Sequence, residues 1–266
     1  MNIGIIGNGV VGNAIYQNLK DKVKNIFIYD INPDKSRCSY QAAINSDIIF
    51  VCLPTPMLNK TGGVCDLSYI NDFFNQLPKD LKGLFVIKST VPIGTTQNLA
   101  NKRNELRIIH NPEFLTERNA IADFKNLHQY IIGGALQHAL ILKNFYVNYF
   151  EDCECILVTS DESEAIKYFR NSYLGLKVAY FNLIYDACEK LGMNFDTVRR
   201  CVVLDQRIGE SHSFVPGVDG DRGFGGTCFP KDLNALLCFF QAHDLNSSLL
   251  LSVWEYNMSI RKLVNW

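Results

Sequence analysis

Short, almost wholly apolar runs recur through the first 160 positions: Ile3–Ile6, Ile26–Tyr29, Ile48–Leu53, Leu84–Ile87, Arg107–Ile109 (after its leading arginine), Tyr130–Ile132 and Ile156–Val158. Gly7, Asp30 and Pro54 stop the first three. Within the runs apolar residues do not alternate with polar ones, so they predict strands covered on both faces. Stretches with helical spacing lie between them, beginning with Val10–Leu19. Strand and helix in alternation predict an α/β fold with a doubly wound parallel sheet, because each parallel neighbour needs a crossover connection.

The pattern changes near Thr159. Ser160–Leu191 keeps helical periodicity without a proline, and Phe195–Val203 reads as a second helix. A glycine-rich loop, Ser211–Thr227, follows, and Pro230–Ala242 and Asn246–Trp266 predict two more helices. The expected organisation is an α/β domain over residues 1–159 and an all-helical domain over residues 160–266. Ile166, Phe169, Tyr173, Leu176, Tyr180 and Leu183 place apolar groups on more than one side of the long helix. That is more than one small domain covers, and it predicts a homodimer built on the helical part. Leu250, Val253, Trp254, Ile260 and Trp266 predict a further apolar stripe on the last helix.

Composition and charge narrow the field. Among 266 residues, 26 basic against 27 acidic side chains give a net charge of −1, which argues against a general nucleic-acid binder. No apolar run approaches a membrane span, and the first seven residues, Met1 to Gly7, lack the basic start and long apolar core of a secretory signal. The expectation is a cytoplasmic protein with no membrane partner. Nine cysteines form no CxxC pair and have no histidine-rich companion, so no metal is expected. In a reducing compartment most of them serve as small buried hydrophobes.

Five stretches carry candidate chemistry. Gly7-Asn8-Gly9-Val10-Val11-Gly12 fits G-x-G-x-x-G, follows a strand and opens a helix, and Asp30 ends the next strand. Such a turn brings backbone and helix N-terminus to a pyrophosphate, while an acidic residue there accepts the ribose hydroxyls and favours NAD over NADP. Ser89–Thr95 lies at the end of the fourth strand, where ligands collect in open sheets, although a plain helix start would look the same. Asn111–Glu117 offers Glu113 and Glu117 four residues apart, either as a polar site or as ordinary helix-start acids. Lys167 and Asn171 are likewise four apart on the long helix and can aim two donors at one oxygen. Gly223–Asp232 is the most informative: Cys228 stands before a helix start, with Pro230 suited to its first turn and Lys231 beside it. Both features favour a thiolate nucleophile.

Taken together, these stretches and Asp205–Gly209 resemble the UDP-glucose/GDP-mannose dehydrogenase family in order and spacing over essentially the whole chain. The resemblance implies a Rossmann-like domain followed by a helical one. It also implies oxidation of a sugar nucleotide's primary alcohol to a carboxylate, using two NAD+ and a cysteine-bound intermediate. UDP-glucose stands first among the substrates it suggests; GDP-mannose and N-acetylhexosamine nucleotides are alternatives. It makes Cys228 the nucleophile, Lys167 and Asn171 the oxyanion donors, and Asp232 the support of Lys167 and of the hydrolytic water. Glu117 becomes an acid/base acting through a water that Thr90 holds. On the cofactor it places Gly7, Gly9, Val10, Val11, Gly12, Asp30, Lys35, Thr55, Thr90, Glu117 and Lys231. On the substrate it places Glu113, Phe114, Leu115, Lys167, Asn171, Phe214, Gly217 and Gly225, with Arg207 reaching the sugar in a neighbouring subunit. Two features depart from the family. Arg118-Asn119 stands where a glycine is usual. The chain also stops at Trp266, before the second α/β domain that binds the nucleotide, so a separate C-terminal domain or chain is a possible partner. Two other readings compete: a two-electron β-hydroxyacid dehydrogenase, against which Cys228 in its glycine loop argues, and a non-catalytic NAD-binding or dimerising module.

Overall fold

The structure is a computed structural model that describes residues 1–59 and 63–266. The chain divides into two compact units, residues 1–55 with 66–167, and residues 56–65 with 168–266.

The first unit holds β1 (Asn2–Ile6), α1 (Val10–Leu19), β2 (Asn25–Tyr29), α2 (Tyr40–Ile44), β3 (Ile48–Val51), α3 (Ser68–Gln76) and β4 (Leu84–Ile87). It continues through α4 (Thr95–Lys102), β5 (Arg107–His110), α5 (Ala120–Lys125), β6 (Gln129–Gly133), α6 (Leu136–Tyr149) and β7 (Glu154–Val158). The strands form one sheet in the order β2-β1-β3-β4-β5-β6-β7. Each strand sends alternate side chains to opposite faces. Thus Ile48 and Phe50 join a core with Ile5, Ile15 and Phe145, while Ile49 and Val51 join a second core with Phe74, Phe85 and Leu99. Two covered faces are the reason these strands contain no polar alternation.

One pairing departs from the expected all-parallel sheet. β5 and β6 meet antiparallel, at His110 and Gly133 alone, and β7 then runs parallel to β6. Between β5 and β6, the only helix longer than a single turn is α5, six residues long, and it packs on α1. It does not supply the crossover that a parallel neighbour requires.

α7 (Ser160–Leu191) runs through the division between the units and is followed by α8 (Phe195–Val202), α9 (Phe229–Ala242) and α10 (Ser248–Ile260). In the second unit Ala179, Phe224, Leu233, Val253 and Trp254 form a core that Leu176, Leu250 and Trp266 flank. The stripe expected on the last helix therefore turns largely inward. The last helix also ends at Ile260 rather than Trp266. The Asp221 carboxylate accepts hydrogen bonds from the N–H groups of Lys262 and Leu263, and Arg261 donates to Asp219, which draws the following residues out of the helix. Among the described residues no helix is long and apolar enough to cross a membrane.

Candidate active site

The glycine turn is shaped by close backbone approach. A Cβ on Gly12 would strike the carbonyl oxygen of Gly7, so helix and turn pack this tightly only with glycine there. At Gly9, the N-cap of α1, a Cβ would meet nothing within 4 Å, and no side chain caps the helix. The first-turn N–H groups of α1 thus have no side-chain cap, and the backbone at Gly9 leaves room for a close approach, which suits a phosphate. Val10 is exposed and Val11 half-buried beside them. Asp30 accepts from Asn8 N at 2.7 Å through one oxygen and from Asn32 N at 2.9 Å through the other, which leaves each oxygen a further lone pair. Asn8 Nδ2 donates to the carbonyl of Lys35, whose side chain is exposed, while the buried Asn8 Oδ1 has no partner. Acceptors beside a helix N-terminus fit a dinucleotide: hydroxyls for the carboxylate and amide oxygens, phosphates for the N–H groups.

The ends of β3, β4 and β5 carry the next group. Thr55 Oγ1 donates to the carbonyl of Thr90 at 2.7 Å, and Ser89 Oγ to that of Leu53 at 2.6 Å. Lys167 Nζ donates to the backbone oxygen of Glu113 at 2.5 Å and to its Oε1 at 2.9 Å, and lies 5.4 Å from the Phe114 ring centre. Glu113 Oε2 accepts from Leu115 N. Behind this pair the buried Lys88 donates to Asn111 Oδ1 at 2.8 Å and to the Pro112 carbonyl at 3.4 Å. Glu117 opens a single-turn 3-10 helix, Glu117–Asn119; its side chain lies outside those described.

In the second unit Cys228 is the N-cap of α9 and half-buried, with its Sγ 3.8 Å from Thr227 Oγ1. Asp232, fully buried in the first turn, accepts from Asn171 Nδ2 and from Lys231 Nζ, each at 2.5 Å. Burial pulls the Lys231 pKa down, but Asp232, Cys65 and Cys228 outweigh it and the net shift is upward. A fixed cation and a helix N-terminus both favour thiolate at Cys228. Cys65, which groups with the second unit, sits 3.7 Å from Tyr168 OH.

The other residues expected at the substrate are spread along 205–226. Arg207 is 89% exposed and paired with Asp205. Phe214 lies under the Arg199 guanidinium, 4.0 Å from its ring centre, and Gly217 N donates to the Asp221 carbonyl at 2.8 Å. The place of a Cβ on Gly225 is filled by Arg261 and Asn265, so the chain itself requires that glycine.

Sequence reasoning missed the groups that hold this loop. Asn257 Oδ1 accepts from Phe224 N at 2.7 Å and its Nδ2 donates to the Phe224 carbonyl at 3.1 Å, while Asn182 Oδ1 accepts from Gly223 N at 3.2 Å. Both asparagines are buried. A polar residue flanked by Phe181 and Leu183, or by Tyr256 and Met258, is the signal that was available. Among the described residues no cluster of His, Cys, Asp and Glu suits a metal ion.

Residues 35–149 match the NAD binding domain of the UDP-glucose/GDP-mannose dehydrogenase family, and residues 161–259 match its central domain. The cofactor of the domain this chain carries is thus NAD. A UDP-glucose 6-dehydrogenase of Rickettsia prowazekii is 37% identical over 221 residues, which is 80% of this chain and 49% of that protein. The chain spans about half the length of the curated relatives it matches. Among solved structures, a UDP-glucose dehydrogenase from Pyrobaculum islandicum superposes with a TM-score of 0.83 at 25% identity, covering 97% of this chain and 68% of that one. A UDP-D-ManNAc dehydrogenase from Pyrococcus horikoshii shares the fold, with a TM-score of 0.82 at 19% identity over 98% of this chain and 69% of that one.

Proposed function

Because the chain belongs to the UDP-glucose/GDP-mannose dehydrogenase family, we propose that it carries the catalytic part of a four-electron nucleotide-sugar dehydrogenase acting on the C6 alcohol of UDP-glucose. The observation that carries this reading is Cys228 at the N-terminus of α9, with Asp232 fixed in the first turn by Asn171 and Lys231. A two-electron oxidation of an alcohol has no use for a thiol so placed.

NAD+, when bound, accepts one hydride at each of two oxidations. In the first, the alcohol becomes an aldehyde and its hydroxyl proton leaves through a base, the role we assign to Glu117 with Thr90 holding the intervening water. The Cys228 thiolate then adds to the aldehyde carbon, and the resulting thiohemiacetal again carries a transferable hydride. The second oxidation leaves a thioester on Cys228. Water attacks its carbonyl and releases the carboxylate and the thiol. Lys167 and Asn171 are the donors we assign to the oxygen that gains charge in these steps, where such donors act most strongly. Asp232 orients Asn171 through the 2.5 Å bond and is the acceptor assigned to the hydrolytic water. The open space at Gly9 and the unfilled acceptors of Asp30 and Asn8 support NAD at the glycine turn.

The test is NADH formation from UDP-glucose, with and without an added C-terminal domain from a relative. Two NADH per uronic acid are expected. Cys228→Ser should keep NAD+ binding and lose acid formation by orders of magnitude, since an alkoxide is scarce at neutral pH. Near-normal acid formation by Cys228→Ser, or no NADH from any nucleotide sugar with the domain supplied, would overturn the reading.

A further inference from the structure

The loop that carries Thr90 is fastened by a residue to which none of the steps above assigns a role. Glu164, in the second turn of α7, is fully buried. Its Oε2 accepts from Gly94 N at 2.6 Å, and its Oε1 accepts from Thr96 N at 2.8 Å and from Thr96 Oγ1 at 2.6 Å. The start of α4 needs such an acceptor, because its N-cap is Gly94 and no side-chain cap is formed. Glu164 supplies from 70 positions away what an N-cap Asp or Ser supplies locally. None of the ion pairs among the described residues includes it.

Two connections run from this tie. Lys167 is three residues further along α7, on the next turn, with its ammonium on Glu113. Thr90 is on the tied loop, with its carbonyl held by Thr55. The charged groups around Glu164 are few. The segment 89–96 has none, α4 has only Lys102 at its far end, and the close-packed turn at Gly133 has none. His110, bonded to Ser163, is kept neutral by burial, which pulls its pKa down to about 3. Asp161 lies one turn back along α7 and adds a like charge.

We propose that Glu164 is a positioning residue of this dehydrogenase, holding the Thr90 loop and the Lys167 turn of α7 together, and that it acts only as the carboxylate. The proposal rests on the reaction assigned above. Burial pushes the Glu164 carboxyl up to about 7, with the Thr96 and Gly94 donors opposing. Protonation turns one acceptor oxygen into a donor that faces another donor, and the start of α4 loosens.

Hydrogen exchange at the Gly94 and Thr96 amides tests this between pH 6 and 8.5, without substrate, in wild type, Glu164→Gln and Thr96→Val. In Glu164→Gln, protection at both amides should fall by about tenfold or more at pH 8, and the two proteins should converge near pH 6. In Thr96→Val, one donor is lost, so the pH at which protection falls should move upward. The kcat for NADH formation should follow the same midpoints. Thr96→Val keeps the test in force if Glu164→Gln fails to fold. Protection unchanged at pH 8, or a loss that is the same at every pH, overturns the proposal. Exchange behaving as expected in a chain that forms no NADH would support the tie and count against the dehydrogenase reading, so the two failures are distinguishable.

Discussion

Lys88 carries its charge in a buried place where no carboxylate is in hydrogen-bond contact, since its bonds run to Asn111 Oδ1 and the Pro112 carbonyl. Burial pulls its pKa down to about 8 from 10.5, with Cys52 and Glu113 opposing. The sign of the consequence is fixed by linkage. Between pH 8 and 10.5 the unfolded chain binds more protons than the folded one, so stability rises with pH across that window. Below pH 8 the full penalty is present, on the order of 3 kcal/mol for such a shift. Thermal melts of wild type and Lys88→Met should therefore differ in slope, wild type gaining on the variant from pH 8 to 10.5. A constant difference across that range would refute the assignment. Lys88 stands beside Ser89 and Thr90 in the sequence, yet nothing local marks it as buried. The same holds for Glu164, whose partners lie about 70 residues away. Residues in one contiguous stretch, such as Gly7–Gly12 or Gly223–Asp232, could be singled out because turn, helix start and nucleophile are written side by side.

At the scale of elements, the seven strands were legible because each has an unbroken apolar middle, complete in the doubly covered β3 and β4 and bounded by polar end residues such as Asn25, Arg107 and Glu154 elsewhere. The reversal between β5 and β6 was not, because it depends on where the six-residue α5 packs. Nor was the grouping of Cys65 with the second unit, since the sequence around it carries no periodicity to assign it. The end of α10 is set by Asp221 and Asp219, some 40 positions earlier. α7 and α10 also show how two helices hold a loop that has no regular structure. Asn182 from α7 and Asn257 from α10 satisfy the backbone of Gly223 and Phe224, five and four residues before Cys228. Asn257→Leu would strand the Phe224 N–H and carbonyl in the core, at about 1–3 kcal/mol for each group. Urea denaturation should show that loss, and Asn257→Asp, which keeps the acceptor for Phe224 N, should lose less. A Leu variant within about 0.5 kcal/mol of wild type would mean the loop is held by other contacts.

For the molecule as a whole, one surface of α7 remains to be accounted for. Phe169, Tyr173, Tyr180 and Leu183 are each about half exposed or more, and Leu176 between them is partly covered. Their steps of four, three, four and three residues keep them on one side of the helix, the spacing of a two-helix seam, and not on more than one side as the sequence pattern suggested. Large exposed groups in such a row are unusual on a chain that works alone. A second copy of this chain presents the same row, and an isologous pairing would bury both at once. We therefore expect a homodimer through α7, independent of the part of the relatives that this chain does not span. Light scattering at micromolar concentration should give twice the mass of one chain. Tyr180→Lys with Leu183→Lys should convert it to one-chain mass while leaving the NAD+ affinity of the first unit unchanged, because neither residue belongs to the glycine turn. A wild-type protein that shows only one-chain mass, at every concentration up to hundreds of micromolar, would refute the dimer and leave the row to be covered by something else.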